Sequence, residues 1–334
     1  MPSDPVLAGV RPAEHPPIDV GGAREPRLIA LDWGTSNLRS SLLGENGRVL
    51  ETRAAPGGVM AVPERRFEAA LTALAGDWIA AYRCPLVASG MIGSRQGWVE
   101  APYVECPAGL AQVAAQIVRI ELAAGATLHI VPGLSCIGAD GQDDVMRGEE
   151  TQLWGAALAP GDCCVLPGTH AKWAWLGDGG AVRAFQTFMT GELYALLTQH
   201  GILGRLMQFG HARPAAFAQG VQLGLTEYAS ATHAIFCART AGLMGRIEPE
   251  GLPDYLSGLL IGIEIGSATR HAAPASVAVL GDEILCARYE TALELAGIGH
   301  RRASADATTR GQWHVAQAAG RVPPMAGATR CARR

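Results

Sequence analysis

Short apolar runs alternate along this chain with longer stretches in which apolar residues recur at helical spacing. The runs begin at Leu28, Leu38 and Cys163, with shorter ones at 85–87, 129–131, 182–185 and 276–280, and they are typical of buried strands. Helical spacing predicts helices over 67–82, 108–122, 191–200, 217–225, 235–244, 253–268 and 283–296. Strands that alternate with helices indicate an α/β fold.

Two strand–turn–strand patterns in the chain are similar to one another. The strand from Leu28 ends in Gly34-Thr35-Ser36-Asn37, and the strand from Cys163 ends in Pro167-Gly168-Thr169-His170. Each is followed by a second strand and a glycine-bearing turn, of which Asn46-Gly47 is a strong hairpin signal. We interpret the repetition as two domains of like topology, each with a glycine–threonine loop. The alternative is a coincidence between two common hairpins.

The composition is that of a globular protein with room for one large or two medium domains. The 334 residues are 49% hydrophobic and 17% charged. A net charge of −4 and a pI of about 6.1 argue against general affinity for nucleic acid. The apolar stretch 256–268 is too short to span a membrane and contains Glu264. We therefore expect neither a nucleic-acid partner nor a membrane partner.

Both ends of the chain have compositions typical of flexible segments. Residues 1–27 are rich in Pro and Gly and lack an apolar signal core, and the stretch from His300 onward is rich in arginine. We expect a flexible extension over 1–27, a solvated and partly frayed stretch from His300, and a flexible tail over 321–334. The cysteines form no Cys-x-x-Cys pair, which favours a reducing cytoplasm over a zinc or disulfide framework.

The loop after the first strand is a candidate phosphate and metal site. Asp32 at the strand end can hold a hydrated Mg²⁺, Gly34 allows close backbone approach, and Thr35 and Ser36 offer N–H and O–H donors. In the second pattern Leu166 stands where the first has Asp32, so only the first loop can bring a carboxylate to a metal. The alternative is an ordinary turn.

A second candidate site is the segment Arg147-Gly148-Glu149-Glu150-Thr151-Gln152. Its two acidic residues fall in the first turn of a predicted helix, where the helix dipole alone favours carboxylates by about 0.3–1 kcal/mol. The functional interpretation is that one of them takes a proton from a substrate hydroxyl as phosphate arrives.

Three further segments carry weaker signals. Arg95 could clamp a carboxylate while Trp98 covers a sugar face, although such an arginine more often pairs with a surface acid. Thr190-Gly191-Glu192 is first a helix-capping arrangement and second a substrate contact. Gly281-Asp282-Glu283, between a strand and a helix, either holds an adenosine or is an ordinary connection. P-loop, dinucleotide-binding and hydrolase-elbow motifs do not occur in the sequence.

Taken together, these segments resemble the acetate and sugar kinase, Hsp70 and actin superfamily. The resemblance implies two ribonuclease-H-like lobes with ATP in the cleft between them. It implies that 32–37 is a first phosphate loop and 279–283 an adenosine loop, and that a second phosphate loop contains Gly168, Thr169, His170 and Lys172. Residues 147–152 resemble the sugar-kinase motif that carries the catalytic base, which implies that Glu149 is the base.

Longer motifs in the same order resemble, more narrowly, the 2-dehydro-3-deoxygalactonokinase family. They are 32–39, 89–94, 97–103, 145–152, 167–170, 190–193 and 256–262. This resemblance implies transfer of the ATP γ-phosphate to the 6-hydroxyl of 2-dehydro-3-deoxy-D-galactonate, with Mg²⁺ positioned by Asp32 through water. The substrate contacts that it implies are Ser89, Arg95, Trp98, Arg147 and Glu192. Asp282 stands where a small residue is usual, and the extension 1–27 is unexpected.

We expect a first lobe over 28–150, a second lobe over 151–320, and ATP and a small sugar acid as partners. One alternative is a kinase for another sugar acid such as 2-dehydro-3-deoxygluconate, whose hydroxyl configuration a sequence cannot resolve. The other is an actin- or Hsp70-like nucleotide-switched binding protein. The sequence leaves open whether Glu149 or Glu150 is the base and whether the protein forms homo-oligomers.

Overall fold

The computed structural model describes residues 25–138, 141–271 and 273–323, and the predicted flexible segments 1–27 and 321–334 lie mostly outside these ranges. The strands are β1 (Leu28–Trp33), β2 (Asn37–Leu43), β3 (Val49–Pro56), β4 (Leu86–Ser89), β5 (Tyr103–Glu105), β6 (Val118–Glu121), β7 (Thr127–Ile130), β8 (Gly133–Ile137), β9 (Asp143–Met146), β10 (Cys163–Leu166), β11 (Ala171–Leu176), β12 (Val182–Phe188), β13 (Ser276–Val279) and β14 (Gly299–Arg302). The helices are α1 (Phe67–Tyr82), α2 (Leu110–Ala115), α3 (Glu149–Gly155), α4 (Thr190–Gln199), α5 (Pro214–Glu227), α6 (Ala231–Leu243), α7 (Leu252–Ala268), α8 (Glu283–Leu295) and α9 (Ala307–Ala318).

Two sheets with the same strand order organise the molecule. The first has the order β3-β2-β1-β4-β7-β6 and the second the order β12-β11-β10-β13-β14. In the first sheet β2 is antiparallel to β1 and β3, and β4 and β7 run parallel to β1. In the second sheet β11 is antiparallel to β10 and β12, and β13 and β14 run parallel to β10. This shared topology confirms the prediction of two ribonuclease-H-like lobes, which we call the first lobe and the second lobe. A small third sheet, β5-β8-β9, contacts β12.

The central strand of the first lobe is buried on both faces, as its continuous apolar run requires. Leu28 and Ala30 belong to one hydrophobic core, whereas Ile29 and Leu31 belong to another on the opposite face of the sheet. Because side chains alternate along a strand, Asp32 lies on the same face as Ala30. The apolar pattern thus determines the direction in which the first candidate carboxylate points.

The predicted helix over 108–122 is wrong in its second half. Residues Leu110–Ala115 are helical, but Val118–Glu121 form strand β6 at the edge of the first sheet. Its register pairs Val118 with Ile130 in the antiparallel neighbour β7. The β-branched Val118 and Ile120 favour a strand, and the free edge of β7 provides hydrogen-bond partners that a local pattern does not reveal.

The prediction that the chain frays from His300 is also wrong. Strand β14 completes the second sheet, and α9 then packs against α3 and β1. The crossing of α9 and α3 is close, since a Cβ at Gly311 would lie 1.7 Å from the carbonyl oxygen of Thr151. Trp313 is fully buried. Arginines that suggested a solvated tail pair instead with acids, Arg301 with Asp162 at 2.6 Å among them.

Helix α9 contacts strands β1 and β4 of the first sheet. Its Gln312 side chain is buried and donates hydrogen bonds to the carbonyl of Leu31 (2.7 Å) and the hydroxyl of Ser89 (2.9 Å). Both acceptors belong to the first sheet. We therefore assign α9 to the first lobe, although its residues fall within the predicted second lobe. The boundary at residue 150 stays a prediction.

Candidate active site

The first glycine–threonine loop joins β1 to β2 and begins one residue beyond Trp33. Its turn is closed by a hydrogen bond from the Gly34 amide to the Asn37 carbonyl at 3.0 Å. The residues between them, Thr35 and Ser36, are exposed, and so is Asn37. The predicted donors of the first phosphate loop are therefore presented to solvent at the end of the strand that carries Asp32.

A glycine later in the chain supports this loop from behind. The Val59 amide donates to the Gly34 carbonyl at 3.0 Å, and a Cβ at Gly58 would lie 2.1 Å from the carbonyl carbon and oxygen of Thr35. A side chain at position 58 would therefore displace the loop backbone. Nothing in the local sequence, beyond the pair Gly57-Gly58, signals this role.

The second loop is built in the same way. It follows β10 at Pro167–His170 and contacts the start of α4, where a Cβ at Gly191 would lie 2.4 Å from the Gly168 carbonyl oxygen. The Glu192 amide donates to the Thr169 carbonyl at 3.0 Å, and the Glu192 carboxylate pairs with the His170 ring at 2.5 Å. The structure thus places Glu192, predicted as a substrate contact, beside a predicted ATP contact.

Glu149 pairs with Lys172, two residues beyond the second loop, and its charge acts on Asp32 at the end of β1. It begins α3, directly after Gly148, whose φ of +109° favours glycine and whose Cβ position would be 3.1 Å from the Gly90 Cα. One carboxylate oxygen, Oε2, accepts from the Arg147 amide at 3.1 Å, and the other, Oε1, pairs with the Lys172 ammonium at 3.1 Å. A residue of the predicted second phosphate loop therefore contacts the predicted base.

The neighbouring Glu150 is in a different environment. Its side chain is completely buried and accepts hydrogen bonds from the Gly148 amide (2.6 Å) and the Thr151 hydroxyl (2.9 Å). Burial, together with the nearby Glu149 charge, raises the pKa of Glu150 to about 7. A quarter of the Glu149 side chain is exposed by comparison. The geometry thus favours Glu149 over Glu150 as the group that can meet a substrate.

Asp32 and Glu149 are close enough to influence each other. Burial raises the pKa of Asp32 above its ordinary value, the Arg39 charge opposes this shift, and the Glu149 charge adds to it. Two nearby carboxylates repel each other, and a cation between them would relieve that repulsion.

The side chains around Asp32 suit a hydrated magnesium ion. In the described part of the chain, no group of three or more His, Cys, Asp or Glu side chains is placed to hold a metal. Mg²⁺ in nucleotide sites usually keeps several waters and takes one or two carboxylates plus substrate phosphates. One half-buried carboxylate, Asp32, beside the first loop fits that ligand set.

The buried guanidinium of Arg147 has only part of its hydrogen-bonding capacity used. It lies 4.3 Å from the centre of the Tyr103 ring and donates through Nη2 to the Ala101 carbonyl at 2.8 Å. The Nε and Nη1 atoms are buried and have no hydrogen-bond partner among the described residues. Unsatisfied donors of this kind are costly, so an anion or water at this position would stabilise them.

The other predicted substrate contacts are more dispersed. Arg95 is 83% exposed and lies 3.6 Å from Glu100, the surface pairing that was its commoner alternative. The Trp98 ring stacks on Phe67 with centroids 6.1 Å apart. Ser89 is buried, and its hydroxyl is occupied by Gln312. The structure thus leaves two donors of Arg147 without a partner among the described residues, whereas the Ser89 hydroxyl accepts a hydrogen bond inside the fold.

The predicted adenosine loop lies against the second phosphate loop. A Cβ at Gly281, with φ of +158°, would be 3.4 Å from the Pro167 carbonyl oxygen. Asp282 caps α8 by accepting from the amides of Ile284 (3.0 Å) and Leu285 (3.3 Å). The departure from a small residue at 282 therefore has a structural explanation, because the carboxylate stabilises the helix start. Glu283 is exposed at that start.

Sequence reasoning missed the side chains that surround a cavity beside this loop. The cavity is lined by Gly168, Tyr194, Ser257, Leu260, Arg288 and Tyr289. Arg288 is held by Asp254 at 2.5 Å and donates to the Ser257 hydroxyl at 3.1 Å. Apart from Gly168, these residues come from α4, α7 and α8, and only the packing of these helices brings them together.

Two lobes that share one strand order, each with a glycine–threonine loop after its central strand, are typical of the actin-like ATPase fold to which sugar kinases belong. Comparison with known proteins agrees: the family model described as 2-keto-3-deoxy-galactonokinase matches residues 32–315. The chain belongs to this family.

Named relatives cover nearly the same span. The 2-dehydro-3-deoxygalactonokinase of Escherichia coli K12 is 37% identical over 273 residues, 81% of this chain and 90% of the relative. A Rhizobium meliloti protein described as a probable 2-dehydro-3-deoxygalactonokinase is 38% identical over 288 residues, 84% of this chain and 93% of the relative. A crystal structure of a Sinorhizobium meliloti protein, described as a putative 2-dehydro-3-deoxygalactonokinase, has a TM-score of 0.77 at 36% identity, and the match covers 87% of this chain and 98% of that chain.

Proposed function

We propose that the protein transfers the terminal phosphoryl group of ATP to the 6-hydroxyl of 2-dehydro-3-deoxy-D-galactonate. The observation that carries the proposal is the position of Glu149, at the first turn of α3, where it pairs with Lys172 and its charge acts on Asp32. A hydroxyl bound at Glu149 would lie beside phosphates held by the two glycine–threonine loops. Family membership supports the kinase over a nucleotide-switched binding protein.

In this mechanism the sugar-acid O6 forms a bond to the γ-phosphorus while the bond to the bridging β,γ-oxygen breaks. The 6-hydroxyl proton passes to Glu149, and ADP leaves with the bridging oxygen. Because phosphoryl transfer has a loose, charge-spread transition state, positioning contributes more than the strength of the base. Backbone groups of Gly34–Asn37 and Gly168–His170, with Lys172, would hold the phosphates.

Asp32 would position Mg²⁺ through water, and the metal would neutralise charge on the phosphates. The half-buried carboxylate with a raised pKa supports this role, since a nearby cation would offset the desolvation that raises it. Gly281, Asp282 and Glu283 would lie along the adenosine, next to the cavity that Arg288 and Tyr289 line.

For the sugar acid, we propose that Arg147 binds the carboxylate. Its buried Nε and Nη1 have no partner among the described residues, and a carboxylate oxygen could accept from either of them. Trp98, fixed by its stacking on Phe67, would cover the sugar chain. Substrate contacts by Ser89, Arg95 and Glu192 stay predictions. Each of these side chains contacts another residue of the protein, namely Gln312, Glu100 and His170 in that order.

A coupled ADP-release assay over a panel of sugar acids tests the proposal. We expect turnover to be highest with 2-dehydro-3-deoxy-D-galactonate, to require Mg²⁺, and to give the 6-phosphate. Higher kcat/KM with 2-dehydro-3-deoxygluconate would show that this epimer is the preferred substrate. ATP hydrolysis that no sugar acid stimulates would contradict the kinase function.

No helix in the described ranges is both long enough and apolar enough to cross a membrane. We propose that the protein acts in the cytoplasm, which is supported by free thiols at the described cysteines and by its need for ATP.

A further inference from the structure

One ion pair connects the two lobes at the centre of the site. Lys172, the second residue of β11, belongs to the second lobe, and its ammonium lies 3.1 Å from Glu149 Oε1. Glu149 begins α3, which packs on α9 of the first lobe. Only 5% of the Lys172 side chain is exposed. This pair therefore differs from the surface ion pairs of the molecule in both burial and position.

Lys172 has few partners for a buried charge. Its ammonium donates to the His170 carbonyl at 3.0 Å and lies 3.1 Å from Glu149 Oε1. A buried ammonium needs an anion close by. In the structure that anion is Glu149.

The same contact occupies the proposed base. Oε1 of Glu149 is paired with the Lys172 ammonium, and Oε2 accepts a hydrogen bond from the Arg147 amide. A substrate hydroxyl at Oε1 would share that oxygen with the Lys172 ammonium. A phosphate held by the loop at Gly168–His170 would carry more negative charge than a carboxylate, and it would arrive two residues from Lys172.

We propose that Lys172 is a positioning residue that exchanges partners, pairing with Glu149 in the free protein and with the terminal phosphate once nucleotide is bound. Nucleotide binding thereby frees Glu149 to accept the sugar-acid hydroxyl. The inference rests on the proposed kinase function. It requires nucleotide and sugar acid to strengthen each other's binding by the same factor, because coupling between two sites is reciprocal.

Isothermal titration calorimetry on the full chain measures this coupling. The sugar acid of the proposed reaction is titrated with and without a non-hydrolysable ATP analogue and Mg²⁺, and the analogue with and without the sugar acid. In the unaltered protein we expect each ligand to tighten the other about tenfold, within the usual range for coupled sites. In Lys172→Met we expect the sugar acid alone to bind more tightly and the coupling to fall below about twofold.

Matched variants separate the exchange from a general loss of charge. Arg301→Met removes the cation of an exposed pair with Asp162, away from the cleft, and should keep the full coupling. Lys172→Arg keeps a cation and should restore part of it. Glu149→Gln removes the anion of the same pair and should also abolish the coupling between the two ligands. If Lys172→Met no longer binds nucleotide, the coupling measured in Glu149→Gln decides between the outcomes.

Coupling of unaltered size in both Lys172→Met and Glu149→Gln would overturn the proposal, and so would its absence from the unaltered protein. Failure of the kinase function is a separate result, because it would appear as no sugar-dependent ADP release. A merely structural role for Lys172 would lower thermal stability and leave the ratio of the two affinities unchanged.

Discussion

Three neighbouring carboxyl groups of the first lobe, on Asp32, Glu149 and Glu150, differ mainly in what surrounds them. Asp32 is half-buried beside an exposed loop, Glu149 is partly exposed and paired with a cation, and Glu150 is enclosed by the start of its own helix. Burial determines which of them can meet a ligand. Adjacent residues of one type therefore take different roles.

The charges of Asp32 and Glu149 should contribute unequally to kcat. Asp32→Asn should lower kcat by about 10²- to 10³-fold, because it removes the charge that positions the metal–phosphate complex. Glu149→Gln should lower kcat less, by about 10- to 100-fold, since a loose transition state depends weakly on base strength. The ADP-release assay gives both values. Asp178→Asn, on a turn of the second sheet, is the control and should be unchanged.

Glu149→Gln with full kcat would show that the base is misassigned. Glu150 would then be the group to test, although its burial predicts that Glu150→Gln retains turnover.

At the scale of elements, each phosphate loop depends on a glycine from a later segment. Gly58 lies behind the first loop and Gly191 behind the second, and in each case a Cβ would overlap the loop backbone. The two lobes thus share a supporting contact as well as a strand order. Such contacts keep backbone donors at fixed positions, which electrostatic stabilisation of a transition state requires.

Gly191→Ala should reduce kcat/KM for ATP by about 10- to 100-fold, because its Cβ would press on Gly168 and displace the loop. Steady-state kinetics with varied ATP measures the effect, and sugar-acid binding by calorimetry should be little changed. The matched control is Gly177→Ala, where the nearest atom is 3.6 Å away. Equal kinetics for the two variants would contradict the supporting role of Gly191.

Helix α9 connects the end of the chain to the strand that carries Asp32. Gln312→Ala should lower the free energy of unfolding by about 1–3 kcal/mol, since it removes a buried side chain that donates hydrogen bonds to acceptors on β1 and β4. Urea denaturation measures the change. Gln317→Ala, which removes an exposed hydrogen bond from the same helix, should cost much less. A similar loss in both variants would indicate general helix destabilisation instead.

At the scale of the whole molecule, buried carboxyls connect stability to pH. Glu264 on α7 accepts from Trp173 (2.8 Å), Tyr289 (2.7 Å) and the hydroxyl of Thr190, and so joins β11, α8 and α4. Burial nevertheless raises the pKa of Glu264 to about 7, as it does for Glu150. Both groups hold a proton in the folded state at a pH where the unfolded chain has lost it.

Between the ordinary pKa of 4.5 and the raised value of about 7, the folded protein binds more protons than the unfolded chain. The free energy of unfolding should therefore fall as pH rises through this window, by at most about 3 kcal/mol for each carboxyl. Urea denaturation at pH 5 and pH 8 tests this. Glu264→Gln, which stays neutral, should show a smaller difference between the two pH values. An unchanged difference would mean that Glu264 is ionised in the folded protein.

Residues whose role depends on local pattern could be predicted from the sequence. The apolar run of β1, the turn at Gly34 and the repeated loop at Gly168 indicated two like lobes, because strand burial and turn geometry are encoded within a few residues. Strand β6 could not be predicted in this way, since its conformation depends on a partner strand. The prediction of a frayed stretch from His300 was wrong for the same reason. Helix α9 is stabilised by contacts with α3 and β1, which are distant in the sequence.

The sequence by itself determined the fold class, the two loops and the pair of candidate bases. Only the tertiary structure decided that Glu150 is enclosed while Glu149 meets Lys172, that Ser89 is occupied by Gln312, and which side chains surround the cavity beside Gly168. The physical reason is that burial and charge pairing depend on groups far apart in the chain. Turns and strand patterns, in contrast, are satisfied by neighbours that the sequence already places side by side.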